Sequence, residues 1–381
     1  MTLIYLTFTP LHILTSCGLA LKAPKSEIKL LIVINDFPNA KKYIKSILNW
    51  KLNPFKKVYL LMGRISFDKK PYFIQFFYYQ LKIINIHKIW SEINNKTQVN
   101  LYLFNDYTIE AQFLLSKNKT NLSRNIYLDD GIASYWPFSS PYYSFPKVVL
   151  VLRKIVSKLL YGFWYEIPNI YGSSKRIHKM FSFYPELVTN YLKLKFRKIK
   201  RIPTILFNSL NKTGLITQIF NNFKIEIEDS FSNCIILLPN SKVLHMYNLG
   251  LSKVRKIIIK IIQILENHFE TIYLKYHPRE QRIGYIGYNN KKIKLINSSI
   301  AIELVLFLLN SKEESETLLI GSLSSAFITT RFIMKKKPKI VCFDKILQQN
   351  LNLTSLSQKF KRFDVLFPQN FSELVNIVKK K

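Results

Sequence analysis

At 381 residues the chain exceeds one ordinary core and predicts two domains of similar size, which its 48% hydrophobic content is enough to fill. Its three cysteines, Cys17, Cys234 and Cys342, stand singly in apolar segments, which excludes a disulfide framework and a zinc site and predicts a cytoplasmic protein. Against 57 basic residues there are 23 acids, and the net charge of +34 favours polyanionic partners: an anionic membrane leaflet, an acidic polysaccharide or nucleic acid. Richness in Lys, Ile, Asn, Phe and Tyr is what an AT-rich genome imposes, but such a genome does not impose the shortage of acids.

The first charged side chain is Lys22, so the N-terminus reads at first sight as a signal peptide. There is no basic start, however, and Thr7, Thr9, Pro10 and His12 interrupt the apolar run well short of the roughly 20 residues of a span. A strand over Leu3 to Phe8 feeding a helix accounts for it better, with Thr9 as N-cap, Pro10 at the first helical position and His12 at the helix start. Further strands are expected at Ile28 to Ile34, Lys57 to Met62, Val99 to Phe104, Asn125 to Leu128 and Lys179 to Phe183, with helical stretches between most of them. Such alternation predicts an α/β domain with a doubly wound, mostly parallel sheet.

Lys147 to Tyr165 is helical, apolar and basic, with Lys147, Lys154 and Lys158 on one face. It reads either as a membrane-surface helix or as a core helix with solvated lysines, the commoner arrangement in α/β domains. Lys253 to Lys260 invites the same two readings. Phe207 to Ser232 has no clear period and holds Asn and Ser clusters, which places the domain boundary near residue 230, between domains 1–230 and 231–381. The second half repeats the grammar. Strands are expected at Cys234 to Leu238, Thr271 to Tyr276, Lys292 to Ile296, Thr317 to Ile320 and Lys339 to Phe343, and helices at Lys253 to Phe269 and Ile300 to Leu309.

Three of these strands end in residues that carry chemistry. Tyr127-Leu128 runs into Asp129-Asp130-Gly131, the strand to Tyr276 into His277-Pro278-Arg279-Glu280, and the strand to Ile320 into Gly321-Ser322-Leu323-Ser324-Ser325. Open α/β sheets bind ligands at the carboxyl ends of their strands. A carboxylate there serves as a base, a histidine as an acid, and serine hydroxyls at a helix start, with its free N–H groups, as an anion site. Taken singly, each motif is an ordinary turn, loop histidine or N-cap. A DxD-type metal site would need a third carboxylate or a histidine nearby in sequence, and there is none. His87, His178, His245 and His268 likewise lack metal spacing. Between Gly131 and Pro146, Tyr135, Trp136, Phe138, Tyr142, Tyr143 and Phe145 form either a stacking surface for sugars or a lid packed on the sheet.

In order and spacing, Asp129-Asp130-Gly131, His277-Pro278 and Ser324-Ser325 resemble the motif set of bacterial sialyltransferases, in particular the polysialyltransferase and lipooligosaccharide sialyltransferase groups. Thr9-Pro10-Leu11 resembles their N-terminal strand-to-helix turn. The resemblance implies a GT-B-like fold of two Rossmann-like domains facing a cleft. The first domain takes the acceptor and the second CMP-sialic acid, which is donor substrate rather than cofactor. Transfer inverts the anomeric carbon and needs no metal. Carried onto this sequence, the base is one of the acid pair, Asp130 being favoured beside the flexible Gly131 with Asp129 orienting its surroundings. His277 assists the CMP leaving group and Ser324 and Ser325 hold its phosphate, with Pro278, Gly321 and Ser322 beside them. Thr9, Pro10, His12, Gly131, Tyr135 and Trp136 fall on the acceptor side. Some lipooligosaccharide members carry an acid near the first strand of the second domain; here Pro239-Asn240-Ser241 stands in that place without one, which moves the weight to Asp129 and Asp130.

The acceptor expected from these residues and this charge is an anionic glycan, a capsular polysaccharide or a lipooligosaccharide, met at the inner face of the plasma membrane. A CDP-glycerol or CDP-ribitol polymer transferase of the teichoic-acid type is the near rival, since its motifs also pair His-Pro with a serine-rich phosphate loop; the early Asp-Asp-Gly favours sialyl transfer. A basic nucleic-acid-binding protein would explain the charge but not three strand-end motifs, and neither a helix-turn-helix nor a basic-aromatic RNA-binding signature is visible. A membrane-associated scaffold without activity is the remaining alternative.

Overall fold

Near-continuous aliphatic runs make strands buried on both faces, which is what a parallel sheet flanked by helices requires. The computed structural model of the chain describes residues 1–63, 72–93, 98–119, 123–135, 147–166, 168, 170–225, 234–241, 250–278, 280, 282–310, 317–334, 337–347 and 354–379. It divides into two units, Met1–Asn222 and Phe223–Lys381.

In the first unit, β1 (Thr2–Thr7), β2 (Ile28–Asn35), β3 (Lys57–Met62), β4 (Val99–Leu103), β5 (Arg124–Leu128), β6 (Lys179–Ser182) and β7 (Ile199–Arg201) form one parallel sheet in the order β3-β2-β1-β4-β5-β6-β7. β1 is buried at all its positions, pairing with β2 from Thr2↔Ile28 to Thr7↔Val33 and with β4 from Thr2↔Val99 to Leu6↔Leu103. The helices are α1 (Pro10–Lys22), α2 (Ala40–Leu48), α3 (Tyr72–Ile93), α4 (Ile109–Lys117), α5 (Ile132–Tyr135), α6 (Lys147–Tyr161), α7 (Asn190–Lys195), α8 (Ile205–Lys212) and α9 (Leu215–Phe223). α1 starts as its sequence dictates, since Thr9 accepts a bond from the backbone N–H of His12 and Pro10 opens the first turn.

The second unit repeats the plan with β8 (Cys234–Leu237), β9 (Ile272–Lys275), β10 (Ile293–Ile296), β11 (Leu318–Gly321), β12 (Lys339–Cys342) and β13 (Val365–Leu366), parallel and in the order β10-β9-β8-β11-β12-β13. α10 (Leu251–Glu266) lays Val254, Ile258, Ile261, Ile262 and Leu265 on this sheet, so Lys253 to Lys260 belongs to a core helix with solvated lysines. α11 (Ile302–Asn310), α12 (Ser325–Ile333), α13 (Asp344–Leu347), α14 (Thr354–Lys361) and α15 (Phe371–Lys379) complete it. In both units the strand order reverses beside the first strand, between β1 and β4 and between β8 and β11. That is the crevice where doubly wound sheets take their ligands.

Two expectations are corrected. As far as Phe223, the stretch after Phe207 is helical: α8 buries Leu206, Phe207 and Leu210, and α9 buries Leu215, Ile216 and Ile219, each too short a stripe to show a period across the Thr213-Gly214 break; residues 226–233 lie outside the described residues. α6 is not a core helix, because most of its aliphatic side chains face solvent. No helix among the described residues is long and apolar enough to cross a membrane.

Candidate active site

The two acids after β5 have opposite surroundings. Asp129 is fully buried. One of its oxygens accepts from Gly131 N at 3.0 Å; the other accepts from the hydroxyls of Tyr135 and Ser182 and from Phe183 N, the last two at 2.7 and 3.0 Å. Burial pushes its pKa up, and those donors pull it back. Since Ser182 and Phe183 end β6, Asp129 fastens the exit of β5 to the exit of its neighbour. Gly131, at φ 73, turns the chain into α5 in the left-handed region that suits glycine. Tyr135 is corrected from a sugar-facing residue to a structural one, because its ring is wholly buried and its hydroxyl is held by Asp129 and Ser182. Trp136, Phe138, Tyr142, Tyr143 and Phe145 lie outside the described residues.

Asp130 reaches the surface, its side chain 19% exposed. His12 Nε2 lies 2.9 Å from its Oδ1. On the other side of the ring Nδ1 accepts from Phe8 N at 3.4 Å, so the proton of the neutral ring sits on Nε2 and is given to Asp130. The buried imidazole also stacks on Phe104, ring centroids 4.0 Å apart. His12 follows β1, Phe104 follows β4 and Asp130 follows β5, so three adjacent strand ends build the pair at the reversal of strand order. Sequence reasoning set His12 near the site without seeing its partner. Thr9 and Pro10 serve here as the start of the helix that carries His12.

In the second unit His277 follows β9 and is exposed, with Asn240 Nδ2, from the exit of β8, 3.3 Å from its Nδ1. Glu280 is the residue that the sequence left without a role. Buried, it accepts from Ser241 N at 2.6 Å, Ser241 Oγ at 2.8 Å and Arg282 N at 2.7 Å, and so clamps the β8 exit to the turn through Pro278. Lys275 donates to the carbonyls of Tyr276 and Ser298; burial lowers its pKa to about 8, with Glu303 opposing.

At the end of β11, Ser324 caps α12 by accepting from Ala326 N at 3.2 Å, and Ser325 occupies the first turn. The place of Gly321 follows from packing: a Cβ there would meet Leu237 Cβ at 2.8 Å. Asp344, just past β12, was also unforeseen; it accepts from Leu323 N at 3.0 Å and from the Ser322 hydroxyl, fixing the serine loop, while burial raises its pKa. Each unit thus offers one accessible group on a rigid mount, a carboxylate on His12 in the first and an imidazole beside Asn240 in the second. Among the described residues no group of three or more His, Cys, Asp or Glu side chains could hold a metal ion.

The glycosyltransferase family 52 model matches residues 55–360. No curated protein matches the chain. Among solved structures, the Photobacterium sp. JT-ISH-224 2,6-sialyltransferase, in a ternary complex with the donor product CMP and the acceptor substrate lactose, is similar with a TM-score of 0.53 and 14% identity, covering 96% of this chain and 78% of that one. Arabidopsis thaliana UGT89C1 complexed with UDP-L-rhamnose gives a TM-score of 0.48 at 8% identity, covering 100% and 88% of the two chains. The glycosyltransferase VinC in complex with DTDP gives 0.46 at 8% identity, covering 100% and 92%. The two Rossmann-type parallel-sheet domains make the fold GT-B-like.

Proposed function

The chain belongs to glycosyltransferase family 52, and we propose that within this family it is an inverting, metal-independent sialyltransferase that moves sialic acid from CMP-sialic acid to a hydroxyl of a glycan. The observation that carries this reading is Asp130, a carboxylate at the end of β5 with one oxygen held by His12. Such a group takes the proton of the attacking hydroxyl as the new bond forms at the anomeric carbon. The bond from that carbon to the phosphate oxygen breaks on the opposite face, and CMP leaves with the electron pair. His277 donates to the departing phosphate, and Ser325 with the first N–H groups of α12 receives its charge. The motif order and the fold shared with a CMP-binding 2,6-sialyltransferase support CMP-sialic acid as donor. The charge of +34 supports an anionic acceptor, a capsular polysaccharide or a lipooligosaccharide.

The test is CMP release by the purified chain from CMP-sialic acid, with lactose and oligosialic acid as acceptors and CDP-glycerol as the control donor. Release from CMP-sialic acid that depends on acceptor and persists in EDTA is expected. Turnover of CDP-glycerol alone would assign the chain to polymer synthesis of the teichoic-acid type instead, and inhibition by EDTA that Mg²⁺ reverses would refute metal independence.

A further inference from the structure

Register in the first sheet lines up cations that the candidate active site does not use. Tyr102 pairs with Ile126, Ile126 with Lys179, and Phe181 with Lys200, so Tyr102, Arg124, Lys179, Phe181 and Lys200 share one face. Arg124, Lys179 and Lys200 stand on β5, β6 and β7, each two residues further along than the last. At about 4.8 Å between strands and about 6.6 Å for two residues, each step is about 8 Å and the diagonal row about 16 Å long. It climbs from the amino end of β5 to the level of Leu128, just short of Asp130. Arg124 and Lys200 are exposed, and Lys179 is half-buried.

At its lower end the row borders a cavity of about 450 Å³, lined by Lys119, Arg124, Arg176, His178 and Lys179. Asn125 N donates to His178 Nδ1 at 3.2 Å, so the neutral ring keeps its proton on Nε2 as a further donor. Arg176 is taken up by Gln112, the Trp164 carbonyl and Glu166. Among the described residues no carboxylate pairs with Lys119, Arg124, Lys179 or Lys200. The acid felt on this face is Glu27, through Tyr102. Burial, and then Arg124 and Lys200, lower the pKa of Lys179. The groups left to a ligand are donors, and most are cations, which selects an anion.

A row this long outreaches a single phosphate or carboxylate and suits anionic groups repeated along a chain. Single-stranded nucleic acid is such a chain, but it binds by stacking bases on free ring faces. Here Tyr102 stacks on Tyr5 with ring centroids 4.8 Å apart and meets Phe181 edge-on, while Lys200 lies 5.7 Å from the centre of Phe181. Both rings are thus engaged along the sheet. A glycan bearing carboxylates needs only the donors.

We propose that this row and its cavity form a second, non-catalytic site for a stretch of anionic glycan remote from the end that receives the sugar. The choice of glycan rests on the proposed function, whereas the site itself rests on the row. Carboxylates along the glycan pair with Arg124, Lys179 and Lys200, and one more enters the cavity beside Lys119 and His178. A chain held there keeps its free end at a high local concentration about Asp130.

The experiment measures binding of three probes to the full chain at low and high salt: oligosialic acid long enough to span the row, neutral dextran and duplex DNA. Oligosialic acid should bind, more weakly as salt rises, and dextran should not. Arg124→Ser with Lys179→Ser should weaken oligosialic acid about tenfold with melting unchanged, and Lys200→Ser alone about threefold. In transfer assays the double variant should raise the KM of the long acceptor about tenfold, leaving its kcat and the KM of lactose at wild-type values. Wild-type binding by the double variant, or an equal rise in KM for lactose, would overturn the proposal. DNA that binds more tightly than oligosialic acid, and is lost in the same variant, would overturn it too by making nucleic acid the occupant. Loss of oligosialic acid binding in the double variant of a chain that never turns over CMP-sialic acid would uphold the site and refute the sialyl reading alone.

Discussion

His12 gives its Nε2 proton to Oδ1 of Asp130 across 2.9 Å, and the two residues come from strands that are not neighbours, with β4 between them. Because Phe8 N fills Nδ1 and Phe104 supports the ring face, the imidazole has one orientation and one tautomer in its neutral form. Asp130 is thereby fixed through one oxygen. The other is left to work as a base, and His12 is a positioning residue.

Asp130→Asn should therefore lower kcat by about 10² to 10⁴, the usual worth of a general base, with donor KM little changed. His12→Ala should cost less, about tenfold in kcat, since the carboxylate remains and only its aim is lost. Restoration of most of that loss by His12→Gln, whose amide can donate to Oδ1, would mark positioning; an Asp130→Asn enzyme with wild-type kcat would remove the base from the mechanism.

His277→Ala should lower kcat by about 10² to 10⁴ with the fold intact, because its side chain is exposed rather than part of the core. Glu280→Ala is expected to behave differently. It leaves Ser241 N, Ser241 Oγ and Arg282 N without their acceptor, so melting should show a loss of about 2 to 4 kcal/mol together with a raised donor KM. Unchanged melting of Glu280→Ala would show that the clamp does not hold the loop.

Strand positions were legible because buried parallel strands read as aliphatic runs, and Lys57–Met62 matches its expected bounds. β7 (Ile199–Arg201) and β13 (Val365–Leu366) were not, since strands so short show no period. Asp129, Asp130 and His277 were visible as polar residues ending apolar runs. The bond from His12 to Asp130 was not, because only the order of strands in the sheet brings those residues together. Glu280 and Asp344 escaped for a similar reason: each holds a loop from another strand. The helical period of α6 is equally compatible with either of its faces being buried, and only packing against α3 decides.

A pH effect on stability follows from Asp106, a buried carboxyl after β4 that accepts from Gly172 N and Ser174 N at 2.9 and 2.8 Å. Burial pushes its pKa from 3.8 up to about 6, with those N–H groups and Lys195 pulling it back. Between these values the folded state keeps a proton that the unfolded state has released, so stability is full below about pH 4 and falls as pH rises through 6. The loss is roughly 3 kcal/mol at about 1.4 kcal/mol per pH unit. Urea unfolding of the wild type and of Asp106→Asn should differ in slope across this window, the variant being flatter. Parallel curves would show that another group sets the dependence.

The neighbouring acids after β5 offer the sharpest contrast, because the same substitution should do opposite things at adjacent positions. Asp129→Asn keeps one carbonyl oxygen but turns the other acceptor into an N–H₂ group, and the donors Gly131 N, Phe183 N, Ser182 and Tyr135 cannot all be served. Those donors are buried, so the cost should be about 2 to 4 kcal/mol of stability, read as a lower urea midpoint. At temperatures where the variant remains folded, kcat should stay within about tenfold of wild type, because Asp129 faces no solvent and its oxygens are taken up by the β5–β6 loop. Asp130→Asn should show the reverse, wild-type stability with kcat collapsed. A stable but inactive Asp129→Asn would mean that the buried carboxylate, rather than the one paired with His12, accepts the acceptor's proton.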